Sequence, residues 1–316
     1  MLQYNESESL WVEKFRPQKI NDCILPSRLK DFFNEMISKG ELQNMIFCGS
    51  AGTGKTTSAK ALCNELGIEY LLVNASENGN IDMLRTTLRS FASTISFTSE
   101  YKVVILDEAD FLTPLVQASL RGFIEEFSKN CRFILTANFE NKLIDALKSR
   151  CVVVNFALTK EEKTELLKPL DFRIKEILKQ EGVEYDKKAL ATLILKYLPD
   201  IRKILNHLQR HTKNGTLEDV VITTLNDDSI KLLFKLLKDH SKWNDVRKWV
   251  TENNDNDFST VIRTIYERSP EYVKPSSLPQ LVLTLSEFDY KSSFCADREL
   301  HLIACLTTLM AEIEYK

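Results

Sequence analysis

The sequence predicts an α/β protein: one doubly wound domain on a five-stranded parallel sheet, followed by helical domains. Three observations carry that reading. Five short, nearly continuous apolar runs alternate with amphipathic stretches over the first half of the chain. A glycine-rich segment stands between the first apolar run and the stretch that follows it. Past about residue 157 the apolar runs stop and helical patterns continue to the end.

The expected strands are Met45–Cys48, Tyr70–Val73, Val103–Leu106, Arg132–Leu135 and Val152–Asn155. Runs apolar at successive positions suit strands covered on both faces, as in parallel sheets. Helical patterns lie between them at Thr56–Leu66, Ile81–Ala92, Leu115–Phe127 and Lys142–Leu147. In the third, Leu120, Phe123, Ile124 and Phe127 repeat at the spacing that forms one apolar stripe. Strand–helix alternation over five strands gives the doubly wound topology.

Beyond this domain, Thr159 with Glu162 three residues on reads as a helix start. Helices are expected near 160–180, 187–198 and 200–212, punctuated by Gly182 and by Pro199-Asp200, with Asn214-Gly215 closing the set. A further helical block runs from about 229 to the end, interrupted at Glu252–Asp257 and at Pro270, Pro275 and Pro279. The expected domains are 1–157, 158–227 and 228–316.

Composition fits such an architecture. The 316 residues are 43% hydrophobic, with 9 Gly and 8 Pro, which opposes low complexity. The 42 basic and 45 acidic residues give a net charge of -3, so any nucleic-acid binding must come from a local basic surface. Seven cysteines without C-x-x-C spacing point to a reduced, cytoplasmic protein (host cytoplasm if phage-encoded). The polar N-terminus carries no signal-peptide pattern, and no run reaches membrane-spanning length. His207 and His211 stand four apart on an expected helix, but no third ligand accompanies them.

The glycine-rich segment, Gly49 to Thr56, fits G-x-x-x-x-G-K-[ST] and lies after a strand and before a helix. Its backbone N–H groups would converge on a β-phosphate, helped by the helix N-terminus. Lys55 would neutralise the β- and γ-phosphates of ATP or GTP, and the Thr56 hydroxyl would ligate Mg2+. Asp107 and Glu108 end the Val103–Leu106 run, at the carboxyl edge where open sheets hold ligands. Asp107 would hold the metal and Glu108 would act as general base on water. Asn138 ends the next strand at the same edge. Arg150, one helix later at the rim, suits a neighbour's γ-phosphate better than its own. The letters Asp-Glu-Ala-Asp also occur in RNA helicases, which need two tandem domains of this type where this chain offers one.

The segment Trp11 to Pro17, the phosphate loop, the Asp107–Asp110 box, Asn138 and the Ser149-Arg150-Cys151 triplet, in that order, resemble the ATPase subunits of sliding-clamp loaders. This is the replication factor C small-subunit type of the AAA+ P-loop class. Leu115–Ser128 and Pro199–Arg202 resemble further motifs of that family. The likeness covers residues 10–210, and the compact size is most similar to the large subunits of T-even-type bacteriophage loaders. It implies an AAA+ domain, a helical lid and a collar, with four copies and one different small subunit in a five-membered ring. ATP binding would open the sliding clamp, and primer-template DNA would trigger hydrolysis and release. By the same resemblance Val12, Glu13 and Ile24 line the adenine pocket, and Gly52, Thr53, Gly54, Lys55, Thr56 and Thr57 hold phosphates. Asn138 is sensor 1, Arg202 is sensor 2 in cis, and Arg150 is the finger in trans. The loop departs from the family in having Ser50-Ala51 where proline is usual, and Pro199 stands in place of a glycine.

Ile95 and Phe97 resemble the family's anchors for the clamp, or else cap the core. Asn80, Ile81 and Arg85 resemble the helix start that tracks template phosphates, or else form a solvated face. Two other readings share the nucleotide motifs: a different AAA+ ring motor on DNA, such as a helicase or branch-migration translocase, and a scaffold with little turnover.

Overall fold

The computed structural model describes residues 10–76, 81–94, 96, 99–213, 216–217, 227–253, 258–292 and 294–316. The chain divides into two compact units, Met1–Val220 and Val221–Lys316.

In the first unit the strands are β1 (Met45–Cys48), β2 (Tyr70–Asn74), β3 (Lys102–Asp107), β4 (Cys131–Ala137) and β5 (Val152–Asn155). They form one parallel sheet in the order β2-β3-β4-β1-β5. Every residue of β1 is buried, as are the first five of β3, whereas edge strands β2 and β5 are half exposed. Burial on both faces of the central strands is why their sequences read as unbroken apolar runs. Alternate residues serve opposite layers. Phe47 joins Phe33 and Phe156 on one face, while Ile46 joins Leu120, Phe133 and Leu135 on the other. The rings of Phe47 and Phe156 lie 5.1 Å apart.

The helices of this sheet domain are α1 (Trp11–Lys14), α2 (Ser27–Lys39), α3 (Lys55–Glu65), α4 (Ile81–Ser93), α5 (Pro114–Glu126) and α6 (Asp145–Lys148). The expected helix over 142–147 is instead a 3-10 turn, Glu140–Lys142, followed by α6. Buried Gln117 sits at that break. Its Nε2 donates to Leu112 O at 2.9 Å and Lys142 O at 3.0 Å, and its Oε1 accepts from Ile144 N at 2.8 Å. One side chain thereby satisfies the Lys142 carbonyl and the Ile144 N–H at the break, together with the Leu112 carbonyl just before α5.

Three helices follow: α7 (Lys160–Gln180), α8 (Lys187–Tyr197) and α9 (Ile201–His211). The Thr159–Glu162 capping box forms reciprocally, with Glu162 N donating to Thr159 Oγ1 at 3.2 Å and Thr159 N donating to Glu162 Oε2 at 2.9 Å. Strands do not end at residue 157 as expected: β6 (Thr212–Lys213) and β7 (Thr216–Leu217) pair antiparallel. Two-residue strands are too short to register as an apolar run.

The second unit is helical: α10 (Asp227–Leu237), α11 (Trp243–Glu252), α12 (Phe258–Tyr272), α13 (Leu278–Ser292) and α14 (Arg298–Glu312). They share a core that includes Leu233, Trp249, Ile265, Leu281 and Leu306. Pro270 does not interrupt its helix. It lies in the last turn of α12, and the Tyr266 carbonyl that a residue-270 N–H would have met accepts from Ser269 Oγ at 2.8 Å. Pro279 sits in the first turn of α13, where a missing N–H costs no helical bond.

Candidate functional site

Sheet order builds the site. Because β3, β4 and β1 are adjacent, their carboxyl ends bring Asp107 and Glu108, Thr136 and Asn138, and the Gly49–Thr56 loop side by side. All four of those side chains line one cavity with Gly52, Gly54, Lys55, Thr56 and Thr57.

Lys55 is only 8% exposed, and its Nζ donates to Gly49 O at 2.7 Å, Ser50 O at 2.8 Å and Asn138 Oδ1 at 2.9 Å. Burial lowers its pKa from the ordinary lysine value, against the opposing pull of Asp107 and Asp110. Thr56 Oγ1 donates to Asp107 Oδ1 at 2.7 Å, and Thr136 Oγ1 reaches the same oxygen at 2.5 Å. Two oxygen donors held together at the loop end of the sheet suit a hard divalent cation that keeps part of its water shell.

Glu108 has φ 57° and ψ 41°, the one non-glycine residue with positive φ among the described residues. Its N–H donates to Thr136 Oγ1 at 3.1 Å. A left-handed backbone in a side-chain-bearing residue is costly and persists only where its surroundings impose it. Here it turns the strand end so that Glu108 faces the cavity. Asp110, two residues on, is 6% exposed, and neither oxygen has a hydrogen-bond partner among the described residues.

The opposite wall of the cavity comes from two other segments. Val12, Phe15, Arg16, Pro17, Ile24 and Leu25 contribute from the N-terminal segment, and Leu170, Arg173, Ile174, Ile177, Arg202 and Leu205 from α7 and α9. A largely apolar slot beside a phosphate loop suits a flat purine base. The N-terminal segment is tied to both sides. Arg16 Nη1 donates to Thr57 Oγ1 at 3.2 Å, while Trp11 N donates to Gln209 Oε1 at 3.0 Å and Lys14 pairs with Glu181 at 2.6 Å. At the start of α9, Asp200 caps the helix and Ile201 N donates to Gly52 O at 3.2 Å. Gly52 has φ +73°, and a Cβ there would lie 1.8 Å from Asp200 Oδ1.

Not every expected residue faces this cavity. The Glu13 carboxylate is occupied by Arg16, whose Nε donates to it at 3.0 Å, and this bond is the main cause of its lowered pKa. Buried Thr53 turns its hydroxyl to Ser50 O at 2.9 Å. Arg150 lies at the other end of the sheet. It precedes Val152, which pairs with Met45, the first residue of β1, whereas the phosphate loop follows Cys48. Asn80, Ile95 and Phe97 lie outside the described residues. Ile81 opens α4, and Arg85 on its exposed face donates to Ser119 Oγ at 2.5 Å. Arg16, Thr136 and Arg173 were not singled out from the sequence. The Glu13–Arg16 spacing of one helical turn was a usable signal, as was a hydroxyl two residues before Asn138.

The His207 and His211 rings stack 5.6 Å apart, and among the described residues no group of three or more His, Cys, Asp or Glu side chains could hold a metal. All seven cysteines are free, and no helix of the described residues is long and apolar enough to cross a membrane.

Fold and site together define an AAA ATPase, and residues 45–157 match the model of the ATPase family associated with various cellular activities. Residues 162–223 match that of the AAA+ ATPase lid domain of the sliding-clamp-loader large subunit. The sliding-clamp-loader large subunit of Enterobacteria phage T4 is 34% identical over 100% of both chains, and that of Escherichia phage RB69 is 32% identical with the same coverage. Replication factor C subunit 5 of Homo sapiens is 32% identical over 97% of this chain and 85% of its own. The chain belongs to the sliding-clamp-loader large-subunit family. Among solved structures, a RuvB from Thermotoga maritima shares the fold, with TM-score 0.54, 17% identity and 86% of each chain covered.

Proposed function

We propose that this chain is the ATP-hydrolysing subunit of a sliding-clamp loader in DNA replication. Four copies and one different small subunit would form a five-membered ring around primer-template DNA, joined by the 228–316 collar. ATP binding opens the clamp, and DNA triggers hydrolysis and release of the clamp onto it. End-to-end likeness to clamp-loader large subunits, rather than to one domain of them, is the observation that carries this reading.

The geometry supports a division of labour. The loop N–H groups and Lys55 bind phosphates, and the apolar slot between the N-terminal segment and α7 takes the base. Thr56 and Asp107 would hold Mg2+, which when bound neutralises charge on the phosphates. Glu108 accepts the proton of the attacking water, oriented with Asn138. Arg202 contacts the nucleotide from α9. Arg150, at the far end of its own sheet, serves a neighbour's γ-phosphate. Asn80, Ile81 and Arg85 track DNA phosphates, and Ile95 and Phe97 engage the clamp.

Steady-state ATPase of the chain with its small subunit tests the proposal, measured alone, with primer-template DNA, and with DNA plus clamp. The expected rate rises with DNA and rises again with clamp. Stimulation by DNA with indifference to clamp would replace clamp loading with a translocase.

A further inference from the structure

Arg150 is not a free surface arginine. Its Nε donates to Glu125 Oε1 at 2.6 Å, and its Nη1 donates to Ala146 O at 2.9 Å and to Ser149 Oγ at 3.1 Å. Nη2 makes no hydrogen bond to any described residue. Arg121, one turn before Glu125 on α5, places its Nε 3.6 Å from the same carboxylate oxygen. Two guanidinium groups therefore share one acceptor, and the bond from Arg150 is the largest cause of the lowered Glu125 pKa.

The pattern of bonds separates two roles for Glu125. A carboxylate that sequesters an arginine takes two parallel N–H groups of one edge of the guanidinium. Glu125 takes only Nε–H, at the root of the group, while a backbone carbonyl steadies Nη1. Nε–H and both hydrogens of Nη1 are engaged, and Nη2 alone keeps N–H groups without a partner among the described residues. An exposed ion pair of this kind adds little to folding, since Glu125 is 51% and Arg150 28% exposed at the side chain. What it does is restrict a long side chain to few rotamers, so that Nη2 is already oriented when a phosphate arrives.

We propose that Glu125 is a positioning residue for Arg150, aiming its unengaged Nη2 group at the γ-phosphate bound by the neighbouring copy of this chain. The inference rests on the reading of Arg150 as a finger in trans. It adds that α5, which starts just after the Asp107–Asp110 box of one site, carries the carboxylate that aims the finger for the next.

The test uses the assembled loader with DNA and clamp, comparing Arg150→Ala, Glu125→Ala and Glu125→Gln. Glu125→Ala should lower kcat about three- to tenfold, as the finger spreads over its other rotamers. ATP affinity and the melting temperature should stay unchanged. Glu125→Gln, whose carbonyl still accepts Nε–H, should recover most of the rate. Mixed rings of Glu125→Ala and Glu108→Gln chains should turn over faster, per chain with Glu108 intact, than rings of Glu125→Ala alone. A Glu125→Ala copy has an intact site of its own, and a Glu108→Gln copy beside it supplies a well-aimed finger. A wild-type rate for Glu125→Ala, a faster one, or no gain in mixed rings would each overturn the proposal while Arg150→Ala remains impaired. An unimpaired Arg150→Ala would remove the trans finger itself and this inference with it.

Discussion

The hydroxyl of Thr56 donates a 2.7 Å hydrogen bond to Asp107 Oδ1, joining the first turn of the phosphate-loop helix to the end of β3. The pair brings together residues 51 positions apart that the sequence assigns to one cation. Asp107→Asn keeps the shape and removes the charge. The ATPase rate should fall about 100-fold, and nucleotide affinity measured in EDTA should match wild type while the gain on adding Mg2+ is lost. An undiminished metal response would take Asp107 out of cation binding.

Gly52 meets Asp200 so closely that no side chain fits between them. Gly52→Ala would place a Cβ 1.8 Å from Asp200 Oδ1 at a backbone angle of +73°. The expected cost is about 2 kcal/mol or more from strain and overpacking. Since α9 carries Arg202, ATP should bind more weakly as well. Calorimetric melting and nucleotide titration check both, and a variant with unchanged Tm and Kd would mean that the start of α9 yields freely.

Arg85 lies in the second turn of the helix expected to follow DNA. Arg85→Ala should weaken DNA binding without regard to sequence. The slope of log affinity against log salt should become shallower by about 0.9 for a contact to duplex phosphate. Binding measured at four salt concentrations decides the matter, and an unaltered slope takes Arg85 out of DNA contact.

The thiols give a pH prediction. Burial pushes Cys23, Cys63, Cys151 and Cys305 up to about 12, and Cys48 and Cys131 up to about 11, from an ordinary value of 9.0. Iodoacetamide at pH 8 should therefore label these six only when denaturant is added, and their labelling in the native protein would contradict the burial. In the folded chain these six hold their protons beyond pH 9, whereas unfolded thiols release them. Their contribution to stability is thus complete below about pH 9 and falls away as pH rises towards 11–12, visible as a declining urea midpoint.

The central sheet and the phosphate loop were legible because each is local. A strand buried on both faces declares itself in four consecutive residues such as Met45–Cys48, and the loop chemistry needs fixed residue types at fixed spacing. What the sequence withheld depends on distant partners. The break between Lys142 and Asp145 follows from Gln117, 25 residues earlier. The unbroken course of α12 through Pro270 depends on one serine hydroxyl. Thr136 matters because β4 lies beside β3, and Arg173 because α7 folds over the loop, neither of which has a spacing of its own. The left-handed turn at Glu108 has no compositional mark at all, since glutamate is not a residue chosen for that conformation.

The N-terminal segment touches the phosphate-loop helix through Arg16 and holds α9 and the end of α7 through Trp11 and Lys14. The wall against which a base would rest is therefore fastened to two bodies at once. A shift of α9 or of the end of α7 is thus transmitted to that wall through Trp11 and Lys14. By reciprocity, a protein whose binding to the lid alters the hold on ATP is itself held more or less tightly by the same factor when ATP binds.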